Sequence, residues 1–515
     1  MTTFKLDKAD ILVVGAGIMG VGIAQVAAQA GHRVLLFDAR NGAAQQAAAK
    51  LGATLDALVA KGKLVADAVE ATLARIEPLA ALEEAGDVGL VIEAIVENVD
   101  AKRALFQQLE SLLHANCVLA TNTSSISVTA IANGLEHPGR LVGMHFFNPV
   151  PLMKLVEVVS GLHTDAAAAQ AIFDLARAWG KVPVHARSTP GFIVNRIARP
   201  FYAETLALLH EQAATPQVFD ACLRAAGFRM GPCELMDLIG HDTNFAVTSA
   251  VYEANFFDKR YVPSPLQREM VEGGLLGRKS GQGFYRHQGD GAGLPPLPVA
   301  VYEAPTTAAA VTVHGVGAIA DFLDQAATRA LEPQGWGPAR ARDSGWTGLS
   351  IDAARLVMTD GRCAADLVAG FGSDDVAVFD RPFVMPAASG TALAFAVAHG
   401  AGSAWRMQAA AWLAALGFAP LRVADAPGLV VARTVAMLIN EAADAVQQGV
   451  CTPDAADAAM KLGVNYPAGP FEWLEQWSAG EVVALLDALD TYYRGERYRV
   501  SPWLRRAAPG GSGRA

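Results

Sequence analysis

Short apolar runs recur along the first 190 or so positions, at Ile11–Val14, Val34–Phe37, 88–93, 117–121, Leu141–Phe146 and 155–159. β-Branched and apolar residues predominate in them, which is the composition of buried strands. Apolar helical stretches and polar turns separate them, so the pattern predicts an α/β sheet with crossover helices. Between the last two runs lie Asn148, Pro149 and Pro151, which stop one strand and turn the chain before the next. If those two strands are neighbours, His145 faces Glu157. A carboxylate bonded to one imidazole nitrogen fixes the tautomer and leaves the other nitrogen as a general base. A satisfied polar pair is the ordinary alternative, and these two residues alone do not decide between them.

The first run leads into Gly15-Ala16-Gly17-Ile18-Met19-Gly20, and a helix follows through about Ala30. A second strand, Val34–Phe37, ends in Asp38. Strand, glycine turn, helix and acid-ended strand together are the dinucleotide fingerprint in its required context. Gly15 permits the tight turn, Gly17 lets backbone approach a pyrophosphate, and Gly20 lets helix and strand pack closely, with Ile18 and Met19 inside the turn. Asp38 suits ribose hydroxyls and repels a 2′-phosphate, which favours NAD over NADP, although Arg40 stands nearby. The polar residues Asn122-Thr123-Ser124-Ser125 end one strand, and Glu93, Glu97 and Lys102 follow another. Both groups are placed along the ligand crevice, bordering the nicotinamide half.

Residues 42–82 show no strand signal and are long enough for two helices broken near Lys61-Gly62-Lys63. They are expected to stand away from the sheet as a hairpin, with Lys61 and Lys63 as candidates for an anionic handle on the substrate. From Ser188 the pattern turns helical, with Pro190-Gly191, Thr215-Pro216 and Gly231-Pro232 as helix starts.

At this point the order GAGIMG, EAIVEN, NTSSIS, HFFNPVPLMKLVEVV, TPGFIVNRI and GGLLGRKSGQGFY resembles the 3-hydroxyacyl-CoA dehydrogenase family over residues 10–286. The resemblance implies an NAD-dependent oxidation of a 3-hydroxyacyl-CoA with His145 as base and Glu157 as its partner. It also implies that Ser124 and Asn195 contact the reacting oxygen and nicotinamide region, and that the Lys61/Lys63 hairpin lies near coenzyme A. The long, doubled form is similar to dehydrogenases of phenylacetate degradation, acting on 3-hydroxyadipyl-CoA. A 3-hydroxybutyryl-CoA dehydrogenase and a dehydrogenase of free hydroxy acids are the alternatives. A free acyl carboxylate would want a cation, for which Arg196 and Arg199 are candidates.

The remainder reads as an altered second copy. Pro190-Gly191 recurs as Pro427-Gly428, Glu204 as Glu441, Thr215-Pro216 as Thr452-Pro453 and Gly231-Pro232 as Gly469-Pro470. Upstream, 311–313 with Gly315-Val316-Gly317-Ala318-Ile319-Ala320 resembles the first turn, but the hairpin and at least one strand are missing. At a constant offset His145 falls on Pro382, Glu157 on Ala394, Ser124 on Gly361 and Asn195 on Ala432, so this half reads as structural. The expected domains are a Rossmann-type NAD-binding domain at 1–187 and an all-α helical domain at 188–288. A linker at 289–307, a degenerate Rossmann-like domain at 308–424, a second helical domain at 425–504 and a disordered tail at 505–515 complete the chain. The two helical domains are expected to pair within one chain as a pseudo-dimer, with a further homo-oligomer possible.

Composition narrows the class. Of 515 residues, 52% are hydrophobic and 18% charged, which supports several cores and excludes global disorder. A net charge of −10 without a basic run argues against nucleic acid. Five scattered cysteines form no C-x-x-C and no zinc spacing, which fits a reducing cytoplasm and no metal. The apolar stretch 11–30 is read as strand and helix rather than a membrane anchor, because four glycines interrupt it.

Overall fold

The computed structural model describes residues 4–287, 302, 305, 310–383 and 390–508. They fall into two compact units, one within 1–196 and 445–464, the other within 197–444 and 465–515.

The first unit is built on an eight-stranded sheet, β1 (Ile11–Val14), β2 (Val34–Phe37), β3 (Ile76–Pro78), β4 (Leu90–Glu93), β5 (Val118–Thr121), β6 (Leu141–Phe146), β7 (Leu155–Ser160) and β8 (Val182–Arg187). Its order is β3-β2-β1-β4-β5-β6-β7-β8, parallel except for the antiparallel pair β6–β7. The central strands are buried on both faces, which is why they read as unbroken apolar runs. The chain order reverses at β1, so the switch point lies between β1 and β4, at the carboxyl ends of both.

Two expectations for 42–82 need correction. The helices Ala43–Ala60 and Ala66–Leu73 break where Lys61-Gly62-Lys63 stands, but the segment then adds the edge strand β3, too short for periodicity to register. The hairpin also does not stand away. Leu51, Leu55 and Val69 enter the same core as Ile23, Ala27 and Val34, because these apolar positions find partners on the helix Ile18–Gln29. The helix Pro453–Val464, from the second copy, packs on β7 and β8 of this unit, with Gly463 close against Leu155 and Val194.

The second unit contains a seven-stranded sheet, β9 (Val311–His314), β10 (Ala339–Ala341), β11 (Gly348–Ile351), β12 (Ala354–Met358), β13 (Val376–Phe379), β14 (Thr391–Val397) and β15 (Phe418–Arg422). The order is β10-β9-β11-β12-β13-β14-β15. β11 runs antiparallel to both β9 and β12, so a tight hairpin stands where the first sheet has a parallel strand and crossover helix. The second copy is shortened by loss of that crossover and of any counterpart to the 42–82 hairpin and β3, since β11 follows β10 directly.

Helices from both copies share this unit. The helix Pro216–Ala225 packs on β14, as its counterpart Pro453–Val464 packs on β7 in the first unit. Phe201, Phe228, Tyr466 and Trp473 form an aromatic cluster with ring centroids 4.8 to 6.1 Å apart. The buried Glu204 carboxylate accepts from Arg433 Nε at 2.6 Å, Arg497 Nη2 at 2.9 Å and the Tyr498 hydroxyl at 3.1 Å. Its counterpart Glu441 accepts from Arg260 at 3.4 Å and the Tyr261 hydroxyl at 2.6 Å.

The expected linker lies, apart from Tyr302 and Pro305, outside the described residues, as do 509–515 of the expected tail. Within the expected tail, 505–507 are instead helical, the end of the helix Pro502–Ala507, with Pro at its first position and Leu504 buried.

Candidate active site

The glycine turn after β1 has the shape its sequence requires. Gly15 sits at φ +108°, and a Cβ there would lie 2.5 Å from the Ala94 carbonyl oxygen. A Cβ on Gly20 would lie 1.8 Å from the Gly15 carbonyl oxygen, so helix and turn approach only because both are glycine. At Gly17 a Cβ would meet nothing within 4 Å, which leaves an open cradle at the start of the helix Ile18–Gln29. No side chain caps that helix, so its first N–H groups are free to meet an anion. Ile18 is exposed there, and Met19 lines the adjoining cavity.

Asp38, one residue past β2, accepts from the Ala16 N–H at 2.9 Å and from Arg40 N and Nε at 3.0 and 2.9 Å. The Arg40 bonds are the main reason its carboxyl is pulled down to about 2, so Asp38 is ionised at any working pH. Arg40 itself is exposed.

Glu93 is fully buried at the end of β4, where it accepts from Lys102 Nζ at 2.5 Å, the Thr121 hydroxyl at 2.6 Å and the Ile95 N–H at 2.7 Å. It does not line the cavity, so its part is to hold Lys102, which does. Glu97 organises the loop after β5, accepting from the Thr123 hydroxyl at 2.6 Å and from Ser124 and Ser125 N–H at 3.0 and 3.1 Å. Burial alone would raise its carboxyl, but these bonds and the Lys102 charge outweigh burial and hold it low. Asn122 accepts from the Phe146 N–H at 2.9 Å, tying the end of β5 to the end of β6.

Antiparallel pairing of β6 and β7 sets His145 opposite Glu157. His145 Nδ1 lies 2.6 Å from Glu157 Oε2. The second carboxylate oxygen accepts the N–H groups of Ile193 and Val194, each at 3.0 Å. One buried carboxylate therefore both orients the imidazole and caps the short helix Val194–Ile197, which carries Asn195. Sequence reasoning missed this second role, for which a carboxylate near Pro190-Gly191 gives no local signal. It also missed Phe147 and Phe192, whose rings lie 4.6 and 5.8 Å from the His145 ring and screen it from water.

A cavity of about 380 Å³ brings His145, Ser124, Asn122, Asn195, Lys102 and Met19 together. Asn195, expected on the helical domain at 188–288, lies in the same compact unit as His145. Lys61 and Lys63 are exposed at the hairpin turn and are not among the residues lining the cavity. Among the described residues, no group of three or more His, Cys, Asp or Glu side chains is placed to hold a metal ion.

The 3-hydroxyadipyl-CoA dehydrogenase of Escherichia coli strain K12 is 41% identical over 504 residues, which is 98% of each chain. The chain belongs to the 3-hydroxyacyl-CoA dehydrogenase family. Residues 10–189 match that family's NAD binding domain, and its C-terminal domain matches twice, at 191–287 and 428–514. Residues 356–427 match a 3-hydroxybutyryl-CoA dehydrogenase reduced Rossmann-fold domain. A probable 3-hydroxybutyryl-CoA dehydrogenase of Deinococcus radiodurans is 43% identical, matching 53% of this chain and 99% of its own length. A crystal structure described as a 3-hydroxybutyryl-CoA dehydrogenase of E. coli K12 gives a TM-score of 0.86 at 41% identity, over 97% of this chain and 98% of that one.

The chain is thus an NAD-dependent 3-hydroxyacyl-CoA dehydrogenase, and its open Gly17 cradle, uncapped helix and ionised Asp38 fit a dinucleotide. In this dehydrogenase a second cavity, of about 540 Å³, lies against the Gly317 turn of the second copy. That turn differs from the first. Ala320 replaces the third glycine, Gly317 adopts φ +86°, and Arg342 follows β10 where Asp38 follows β2.

The constant offset also needs correcting at the base. One step beyond the Phe379–Phe395 pair, Asp380 donates its N–H to Ala394, so Asp380 rather than Pro382 stands opposite the Glu157 counterpart. Its carboxylate accepts four backbone N–H groups, those of Val430, Val431, Ala432 and Arg381. The second copy keeps the helix cap that Glu157 provides and, among the described residues, has no imidazole hydrogen-bonded to it.

Proposed function

We propose that the chain oxidises (S)-3-hydroxyadipyl-CoA to the 3-oxo ester in the cavity beside His145. Full-length likeness to a 3-hydroxyadipyl-CoA dehydrogenase supports the acyl chain, and the buried His145–Glu157 pair supports the chemistry.

With Nδ1–H donating to Glu157, His145 Nε2 is the free base that takes the C3 hydroxyl proton. Bound NAD supplies the hydride acceptor. The carboxylate offsets the positive charge that His145 acquires, and Phe147 and Phe192 keep water from the ring. Ser124 and Asn195 act as donors to the substrate oxygen as charge builds on it. The Gly15–Gly20 turn and Asp38 hold the pyrophosphate and ribose. Lys102, kept in place by Glu93, and Glu97 border the nicotinamide, and Asn122 fixes the loop beside it.

The helical parts of the two copies form, on this reading, an internal pseudo-dimer. What supports it is reciprocity. Arg497 and Tyr498 reach Glu204, while Arg260 and Tyr261, their counterparts, reach Glu441, the counterpart of Glu204. Exchanged pairs of this kind are the mark of an isologous two-fold contact. Arg196 joins the same set, donating to Gln448 at 2.8 Å, so the acyl carboxylate is left to Arg199. A cytoplasmic location fits the five free cysteines and the lack, among described residues, of a helix long and apolar enough to cross a membrane.

The test is steady-state NADH formation from the adipyl and butyryl esters of 3-hydroxyacyl-CoA. The proposal requires a higher kcat/KM for the adipyl ester. Preference for the butyryl ester would overturn the acyl assignment and leave the dehydrogenase intact.

A further inference from the structure

Arg199 begins the helix Arg199–His210, four residues after Asn195 in sequence, and is 6% exposed. Its Nη1 donates to the Thr248 hydroxyl at 3.1 Å, and its guanidinium lies over the Tyr202 ring at 5.0 Å. Nε is buried and has no hydrogen-bond partner among the described residues. Among the described residues no carboxylate pairs with it, and burial without an acid pulls its guanidinium pKa down. A buried charge without a counter-charge is strongly unfavourable, which is why buried arginines are almost always paired. The neighbouring arginines illustrate the rule, since Arg433 and Arg497 share Glu204, while Arg260 reaches Glu441 and Asp444.

The exception adjoins a cavity. A space of about 160 Å³ has polar Arg199, Thr248 and His210 and apolar Leu206, Val262 and Pro263 among its lining residues. That is room for about five waters, at roughly 30 Å³ each, or for a carboxylate with a few methylenes. The second copy has Ala436 at the position equivalent to Arg199, so the scaffold does not require the charge.

We propose that this cavity is a carboxylate site, in which Arg199 supplies the charge, Thr248 a hydroxyl and the apolar wall the contact for a short aliphatic chain. Two sources carry that chemistry: the distal carboxylate of a dicarboxylic acyl-CoA substrate, or a free aliphatic dicarboxylate. Only the first rests on the acyl chain proposed above.

The experiment compares the full-length chain with Arg199→Met and Arg199→Lys. Adipate and the uncharged adipamide are the probes, read by thermal shift, together with kcat/KM for 3-hydroxyadipyl-CoA and 3-hydroxybutyryl-CoA. A charge-assisted bond to a carboxylate corresponds to roughly 10- to 100-fold in affinity. If the substrate is the source, the adipyl-to-butyryl ratio of kcat/KM falls by roughly that factor in Arg199→Met and is partly restored in Arg199→Lys. If a free acid is the source, adipate raises Tm in the wild type but not in Arg199→Met, adipamide does neither, and the ratio holds. Replacing a buried unpaired charge by an apolar side chain of similar length is neutral or stabilising, so Arg199→Met is expected to fold. Equal adipate response and an equal ratio in wild type and Arg199→Met would overturn the proposal. Absence of NADH formation by the wild type from both esters would overturn the dehydrogenase reading separately.

Discussion

Glu157 performs two tasks with its two oxygens, and Glu157→Gln separates them. One oxygen takes the His145 Nδ1–H at 2.6 Å, and the other takes the Ile193 and Val194 N–H groups at 3.0 Å. Glutamine keeps the volume but has one acceptor. If its oxygen stays with the two backbone donors, its amide faces Nδ1 and drives the imidazole proton onto Nε2, which removes the base. The cost is then that of a positioned acid–base group, about 10²–10⁴ in turnover, or about 3–5 kcal/mol of barrier. If the amide turns the other way, two buried N–H groups face a donor, at about 1–3 kcal/mol of stability each. The assay is single-turnover NADH formation with C3-protiated and C3-deuterated substrate, beside an NADH titration and a thermal melt. We expect near-normal NADH affinity, a turnover loss of at least about 100-fold and a full isotope effect. His145→Gln should lose turnover in the same range. Turnover within a few-fold of wild type, with the isotope effect showing that hydride transfer limits the rate, would refute the dyad.

Asp38→Ala should weaken NAD binding by roughly 10- to 100-fold, the worth of bonds to a charged acceptor, and narrow the gap to NADP. Calorimetry with both cofactors checks it, and a wild type that prefers NADP would contradict it. Burial raises the Asp380 carboxyl from 3.8 to about 6, so folding favours its protonated form. Its contribution is full below about pH 3.8 and is lost as pH rises through about 6, so Asp380→Asn should flatten the stability-versus-pH curve there by up to about 3 kcal/mol. Parallel denaturation curves across that window would show that Asp380 does not titrate. Truncation after Tyr285 removes Arg433, Arg497, Tyr466 and Trp473 from their partners and should produce aggregation or dimers by light scattering; a soluble, fully active monomer of 1–286 would rule out the pseudo-dimer.

Much of the site was legible because local chemistry dictates it. Gly15 and Gly20 fill positions where any Cβ would strike backbone, and the register that sets His145 against Glu157 follows from two apolar strands and a proline-rich turn. The family motifs then assigned roles that spacing alone left open. What stayed hidden depends on tertiary packing. β3 is too short to show a period, and the hairpin helices dock because Leu51 and Val69 meet a helix distant in sequence. The offset misplaced the His145 counterpart because the two copies do not keep constant spacing, whereas the Asp380–Ala394 backbone bond fixes the register. Nothing in the pattern distinguished the unpaired Arg199 from the paired Arg196.

The central claim is that one chain holds one working dinucleotide site, in the first copy, and that the second copy is scaffold. Calorimetric titration of the full-length chain with NADH measures this directly. The account predicts one NADH per chain, with binding lost when Gly17 carries a bulky side chain in the open cradle. Two NADH per chain, or undiminished binding in the Gly17→Val variant, would contradict it.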